Sequence, residues 1–251
     1  SVWYDLSDVK LAEALDDRAS FRRFCGFARS EATPERTAFV RFRRELVRHG
    51  LEDQLFDAIT AQLRTRAIHV KTGTIVDATI IASASVEDGE GHWVKHKGKP
   101  AVHGYKAHTG VDLDTALVEQ LDVTPANVND GRAGPGALPD NPGNVYADSA
   151  YRGAHFSGAV ARKGGVAHVV RTGFWAKNDP GAQARAAQKL KEHNDAIHKV
   201  RGRIEKVFGT WKRSYGLRRM RWRGLRKARL QIFLTAIAYN FTRTRNIQAS
   251  A

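Results

Sequence analysis

The chain is poor in sulfur: among its 251 residues there is one cysteine, Cys25, and one methionine, Met220. A lone cysteine excludes a disulfide within the chain and a zinc site built on cysteine thiolates. It fits a reducing cytoplasm. Within RRFCGFA, Cys25 reads as a small buried apolar residue. No apolar run of about 18 residues occurs, so no transmembrane helix is expected, nor a secretory leader. The chain opens at Ser1 rather than methionine, which fits a fragment or a processed product. Acids are also short: 26 against 41 lysines and arginines, a formal net charge of +15. That excess says little about fold but favours a polyanionic partner through long-range attraction. Nucleic acid is the first candidate. An anionic membrane surface would call for a basic amphipathic helix with an exposed apolar face.

What is present suits an ordinary globular protein. Hydrophobic residues make up 42% and charged residues 27%, which argues against wholesale disorder. The length suits one or two domains. No internal repeat of about 20–50 residues is visible.

Residues 1 to about 66 carry apolar positions at three- and four-residue spacings, from Leu6, Val9, Leu11 and Leu15 to Leu55, Phe56, Ile59 and Leu63, which predicts helices. Asp5 and Ser7 are candidate N-caps. Thr33-Pro34-Glu35 marks a further helix start. The pattern changes near Lys71. GTIVDATII, Gly73 to Ile81, is β-branched and almost wholly apolar, as suits a strand buried on both faces. A polar, glycine-bearing loop follows. Residues 104–124 then read as two strands about a turn at Asp112-Leu113-Asp114-Thr115. NVYADSAY, 144–151, reads as a strand ending at an acid. Residues 153–163 read as a short helix and 165–170 as a strand. Helices close the chain from Gly181 to about Trp211 and over 225–245, with Gly216 as a break. The order predicts a mixed α/β core behind a helical N-terminal region.

Three acids stand out. Asp77 lies inside TIVDATII, and Asp148 follows VYA. A carboxylate in or beside a buried strand costs several kcal/mol unless it is paired or metal-bound. Glu205 is the single acid between Arg201 and Leu230, among nine arginines and three lysines. At about 100° per residue, Ile197, Val200, Ile204, Phe208 and Trp211 share one helix face. His198, Arg201, Glu205 and Lys212 lie about a quarter-turn away. Taken singly, each aspartate has a plain alternative as a hydrogen-bonded structural acid. Glu205 has one as a helical ion pair with Arg201, worth a few tenths of a kcal/mol. Together, two strand aspartates and a helix glutamate make a set of hard oxygen ligands suited to Mg²⁺. Paired ions about 3.5–4 Å apart serve phosphoryl transfer. The surrounding arginines would then hold DNA phosphates.

At these residues the chain resembles the DDE transposases of bacterial insertion sequences, in the insertion-sequence-5 group. GTIVDATII is similar to the family's first-aspartate strand. VYADSAYRG is similar to the second-aspartate motif with its aromatic-Arg/x-Gly turn. HKVRGRIEKVFGTWK is similar to the third motif, with Arg201, Glu205 and Lys212 at its Arg, Glu and Lys positions. His198 stands where that motif has tyrosine. YGLRRMRWRGLRKARLQ resembles the family's basic tail, and DLSDVKLAEALDDRASFRRFCGF its N-terminal helical domain.

The resemblance implies an α/β fold: an RNase H-like mixed sheet with flanking helices over 69–251, preceded by a small all-helical domain over 1–68. That domain would bind DNA ends or dimerise. The implied activity is metal-dependent cleavage of DNA at element ends, then attack of a 3′-hydroxyl on target DNA. Asp77, Asp148 and Glu205 would hold two Mg²⁺ ions, with Mn²⁺ able to substitute. Arg201 and Lys212 would orient Glu205 or hold DNA phosphate, and Arg213, Arg218, Arg219, Arg221, Trp222 and Arg223 would contact double-stranded DNA, Trp222 by stacking. A homo-oligomer on DNA, working in the bacterial cytoplasm at the nucleoid, is the implied setting. Two rival readings are a catalytically inactive, transposase-derived DNA-binding protein and a metal-dependent nuclease without strand transfer.

Other polar residues invite plainer readings. Asp112 and Asp114 suit a turn, and Asp130 suits a cap. Asp122 lies near the same hairpin. His92, His96, His103 and His108 match no standard zinc spacing. Trp93, Trp175 and Trp211 are possible stacking residues, Trp211 being better placed for the core. Lys95, Lys97 and Lys99 form a solvated charge run or touch phosphate.

Overall fold

A computed structural model of the chain describes residues 1–66, 71–95, 98, 100–173 and 180–249. Expectations on His96, Lys97, Lys99 and Trp175 fall outside the described residues. Four helices come first: α1 (Asp8–Asp17), α2 (Ala19–Cys25), α3 (Arg36–His49) and α4 (Glu52–Arg66). Ser7 caps α1, its hydroxyl accepting from the Lys10 N–H at 3.3 Å. Proline at 34 precedes α3, as a residue that cannot extend a helix backwards.

The strands follow as β1 (Gly73–Ala82), β2 (His92–Val94), β3 (Val102–Asp112), β4 (Val118–Pro125), β5 (Asn144–Ala147) and β6 (Val166–Val169). Between them sit α5 (Asp130–Ala133) and α6 (Ala154–Arg162), and α7 (Pro180–Ser214) and α8 (Leu225–Gln248) complete the chain. β1 lies between β3, antiparallel, and β5, parallel, with β6 parallel beyond β5. The outer edge of β3 takes β2 at one end and β4 along the rest. The result is the mixed sheet with flanking helices expected of an RNase H-like fold.

Each side of the sheet has its own apolar cluster. On one side Ile75 and Ile81 of β1 and Tyr105, Ala107 and Val111 of β3 meet Ile204, Val207, Phe208 and Trp211 of α7 and the buried face of α8. Phe56 of α4 joins this cluster, edge-on to Phe233. On the other side Val76, Val145 and Ala147 pack on Phe156, Ala159 and Val160 of α6. The predicted α7 stripe faces the core: Ile197, Ile204, Phe208 and Trp211 are buried and Val200 partly so. Gly216, at φ +67°, ends α7's run in the left-handed region that favours glycine. Gly110 is needed for a different reason: a Cβ there would meet the Ala137 carbonyl at 2.1 Å.

Some expectations needed correction. The loop after β1 contains the short strand β2, whose exposed residues carry no alternation. The strand read as ending at an acid does so, Asn144–Ala147 running up to Asp148, while residues 149–151 form a 3-10 turn capped by Asp148. Cys25 is exposed, because α2 buries none of its residues. No described helix is long and apolar enough to cross a membrane.

Candidate active site at the end of the central strand

Asp77 sits midway along β1, in step with Ile75 and Ile81 and so on the face that carries α7. Its Oδ1 accepts from the Ala78 N–H at 2.8 Å. Its Oδ2 accepts from the Arg201 guanidinium of α7, also at 2.8 Å. Both side chains are largely buried, at 17% and 12% exposed. Arg201 therefore reaches across the core to Asp77 rather than pairing along its own helix with Glu205.

The register of β5 against β1 runs Asn144 to Gly73, Val145 to Thr74 and Tyr146 to Ile75. Continued by two steps, it sets Asp148 level with Asp77, one strand spacing of about 4.8 Å away between backbones. Asp148 ends β5 and turns the chain, its Oδ1 accepting from the Ala150 N–H at 2.8 Å. The charges feel one another. The Asp77 carboxyl is pushed up to about 6 in all: burial raises it most, Arg201 pulls it down, and the Asp148 carboxylate raises it further. A carboxyl so raised is one whose burial outweighs its ion pair.

Glu205 lies one helical turn beyond Arg201, about 6 Å along the axis, and is exposed. Among the described residues no three of His, Cys, Asp and Glu are grouped closely enough to hold a metal ion. The structure thus brings Asp77, Asp148 and Arg201 together, with Glu205 on the adjacent turn. A paired set of carboxylate oxygens, one with a raised pKa, fits a hard divalent cation that takes its other ligands from water and phosphate. His198, one turn before the histidine-free stretch at Arg201, is exposed on α7.

The basic residues divide. Lys212, Arg213 and Arg218 line the hollow beside Ile80 of β1. Arg218 donates to the Lys212 carbonyl at 3.3 Å, and Arg219, Arg221, Trp222 and Arg223 reach other parts of the chain. Arg219 donates to the Ser83 carbonyl at 3.1 Å, and Arg223 pairs with Glu87 at 3.2 Å. Arg221 pairs with Asp5 and donates to the Leu6 carbonyl. Trp222 lies under the Arg43 guanidinium, 4.8 Å from its ring centre. Arg43 also pairs with Asp8 of α1.

Three residues near the site were not singled out as functional by sequence reasoning. Tyr151 is buried beside the acids; its hydroxyl makes no hydrogen bond. Burial, with the charges of Asp77, Asp130 and Asp148, pushes its pKa well up. Asp130 does not cap α5, a role taken by Asn129. It instead binds Lys106 of β3 at 2.7 Å. The one sequence signal for Lys106 was a lysine inside a strand that is otherwise nearly all buried. Asp112 and Asp114 are turn and loop acceptors, as read. His92 is exposed, whereas His103 and His108 are buried on β3.

Two family comparisons bear on this geometry. Residues 68–241 match the model for the transposase DDE domain. Residues 1–45 match that for a transposase domain. The first match takes in all three acids, Arg201 and the basic residues up to α8. It implies DNA as partner and a general dependence on divalent metal. The chain belongs to the DDE transposases of insertion sequences.

Proposed function

We propose that this chain cuts DNA at the ends of an insertion sequence of the insertion-sequence-5 group and joins them to target DNA. In this reading Asp77, Asp148 and Glu205 hold two Mg²⁺ ions, with Mn²⁺ as a substitute. The observation that carries it is the placing of Asp148 level with Asp77, with Arg201 of α7 on the same carboxylate. Glu205, exposed one turn along, is the third acid. When bound, the ions supply an activated water and stabilise the attacking and leaving oxygens at phosphorus. The protein's own part is positioning. Arg201 balances the buried Asp77 charge and fixes its carboxylate plane. Lys212, Arg213 and Arg218 hold backbone phosphates beside the acids. Arg219, Arg221, Trp222 and Arg223 shape the neighbouring tail and add to the DNA-facing charge. Cleavage by water and attack by a 3′-hydroxyl are both in-line displacements at phosphorus, so one site serves both.

Residues 1–68 act in this reading as the unit that recognises element ends or pairs two copies on DNA, and 69–251 as the catalytic unit. The setting is the nucleoid of a bacterial cytoplasm. Asp77→Asn, Asp148→Asn and Glu205→Gln should each abolish Mg²⁺-dependent cleavage of DNA bearing the element ends while leaving DNA affinity within about threefold. Full activity in any one removes that residue from the site. Precut ends supplied with a target duplex should yield joined products, and hydrolysis without joining would reduce the chain to a nuclease.

A further inference from the structure

β5 ends at Ala147, level with Val76, but β1 continues to Ala82, so beyond Val76 no strand among the described residues lies along that edge of β1. Along that edge lies a groove of about 410 Å³. Ala78 and Ile80 form its strand side, Lys106 and Asp130 line it, and Lys212 and Arg218 belong to its α7 side. The groove starts one residue past Asp77.

Lys106 is the unusual member. Its side chain is only 6% exposed. The ammonium donates to the Val128 carbonyl at 2.8 Å and to Asp130 Oδ1 at 2.7 Å. An ammonium has three N–H donors, and these two acceptors use two of them. Burying a lysine costs several kcal/mol before its partners repay it, and an apolar residue on this strand would avoid that cost. The fold therefore keeps a cation at the base of a groove that two further cations flank.

The backbone adds a donor. In an antiparallel ladder the N–H and C=O of a residue point to the same side, and alternate residues point to opposite sides. Ala82 turns both groups away from β3: its N–H donates to the Arg218 carbonyl at 3.2 Å, and its C=O accepts from the Met220 N–H at 2.7 Å. Ile80, two residues earlier, points its N–H the same way, into the groove. The Ala78 N–H is already taken by Asp77.

An edge amide, a buried ammonium, a lysine and an arginine around one hollow suit a tetrahedral oxyanion. We propose that this groove seats one backbone phosphate of the bound DNA, next to the phosphate under attack, with Lys106 as its floor and Asp130 restraining the lysine. The proposal rests on the transposase reading above and assigns Lys106, Asp130 and the Ile80 amide to that site.

The test is binding of the full chain to a 30-base-pair duplex of random sequence in EDTA, followed by fluorescence anisotropy across a salt series. Phosphate contacts are independent of sequence. Lys106→Met should weaken binding about tenfold and lower the log–log salt slope by about one. Asp130→Asn should act in the opposite sense and tighten binding severalfold, because it removes a negative charge that competes with phosphate for the lysine. Arg218→Ala, at an exposed residue, should lower the slope by about one without touching the core. Inorganic phosphate at constant ionic strength should displace the duplex only at millimolar concentrations; micromolar displacement would assign the groove to a free phosphate compound instead. A purely structural role for the pair predicts that Lys106→Met and Asp130→Asn shift in the same direction. That result, or unchanged slopes in Lys106→Met and Arg218→Ala, overturns the proposal. If Asp77→Asn still cleaves while these slopes shift as stated, the acid assignment fails and the groove stands. Wild-type protein without salt-dependent DNA binding would defeat both.

Discussion

At the level of single residues, Asp77 carries a measurable cost. Its folded pKa, about 6, lies above the ordinary 3.8. The folded state therefore binds the proton more tightly than the unfolded chain, and stability is lost as pH rises from about 4 to about 6. The loss is on the order of 2–3 kcal/mol by neutral pH. Asp77→Asn resembles the protonated acid, so in EDTA at pH 8 it should melt at a higher temperature than wild type. The gap should close towards pH 4. Millimolar Mg²⁺ should raise the wild-type midpoint and leave the variant's unmoved. A variant less stable than wild type at pH 8 would mean that the Arg201 contact outweighs the burial cost. His108 works in the other direction: burial pushes its pKa down to about 4. Its stabilising effect is present above about 6.5 and is lost as pH falls towards 4. Comparing variant with wild type at each pH cancels that contribution.

At the level of elements, Asn240 of α8 clamps the start of β4. Asn240 accepts from the Val118 N–H at 2.9 Å and donates to the Val118 carbonyl at 2.8 Å, both buried. Asn240→Ala would leave two buried backbone groups without partners, at about 1–3 kcal/mol each. Urea titration should show a loss of about 2–4 kcal/mol with an unchanged m-value. A loss below about 0.5 kcal/mol would show the clamp to be dispensable. Elements with strong periodicity were legible from the chain alone: the β-branched run of β1 and the α7 stripe came out as read. The three residues of β2 offered no alternation to read. Helical spacing offered Glu205 as the partner of Arg201, since a wheel sees only neighbours one turn away. The actual partner, Asp77, is 124 residues distant. The level placing of Asp148 follows from a parallel register that no local pattern encodes. Lys106 and His108 alternate with apolar residues and so mimic an outward-facing row. Neither is exposed, because α5 and the segment after β4 cover that face.

At the level of the whole molecule, the net charge of +15 falls on residues 180–251, where 18 lysines and arginines meet 3 acids; the residues before them carry 23 of each. Binding led by phosphate contacts follows, with steep salt dependence. Affinity for a random duplex should fall on the order of 10³-fold between about 50 and 200 mM salt if six or more contacts form. Loss of less than tenfold would point to binding that does not depend on the backbone charge. The N-terminal helices are docked through Arg43 between Asp8 and Trp222, and through Arg221 on Asp5 and Leu6. Single substitutions there would loosen the two ends of the chain together, and would reach the basic tail without touching the acids.

The span between Asp77 and Arg201 also sets a schedule for the ribosome. At about 5–20 residues per second, translation needs roughly 6 to 25 seconds to pass from one partner to the other. Over that interval the first acid is made but its counter-cation is not, and the residues before Arg201 carry almost as many acids as lysines and arginines, 25 against 27. A half-made copy would have neither the buried ion pair nor the positive charge that draws the finished chain to a polyanion.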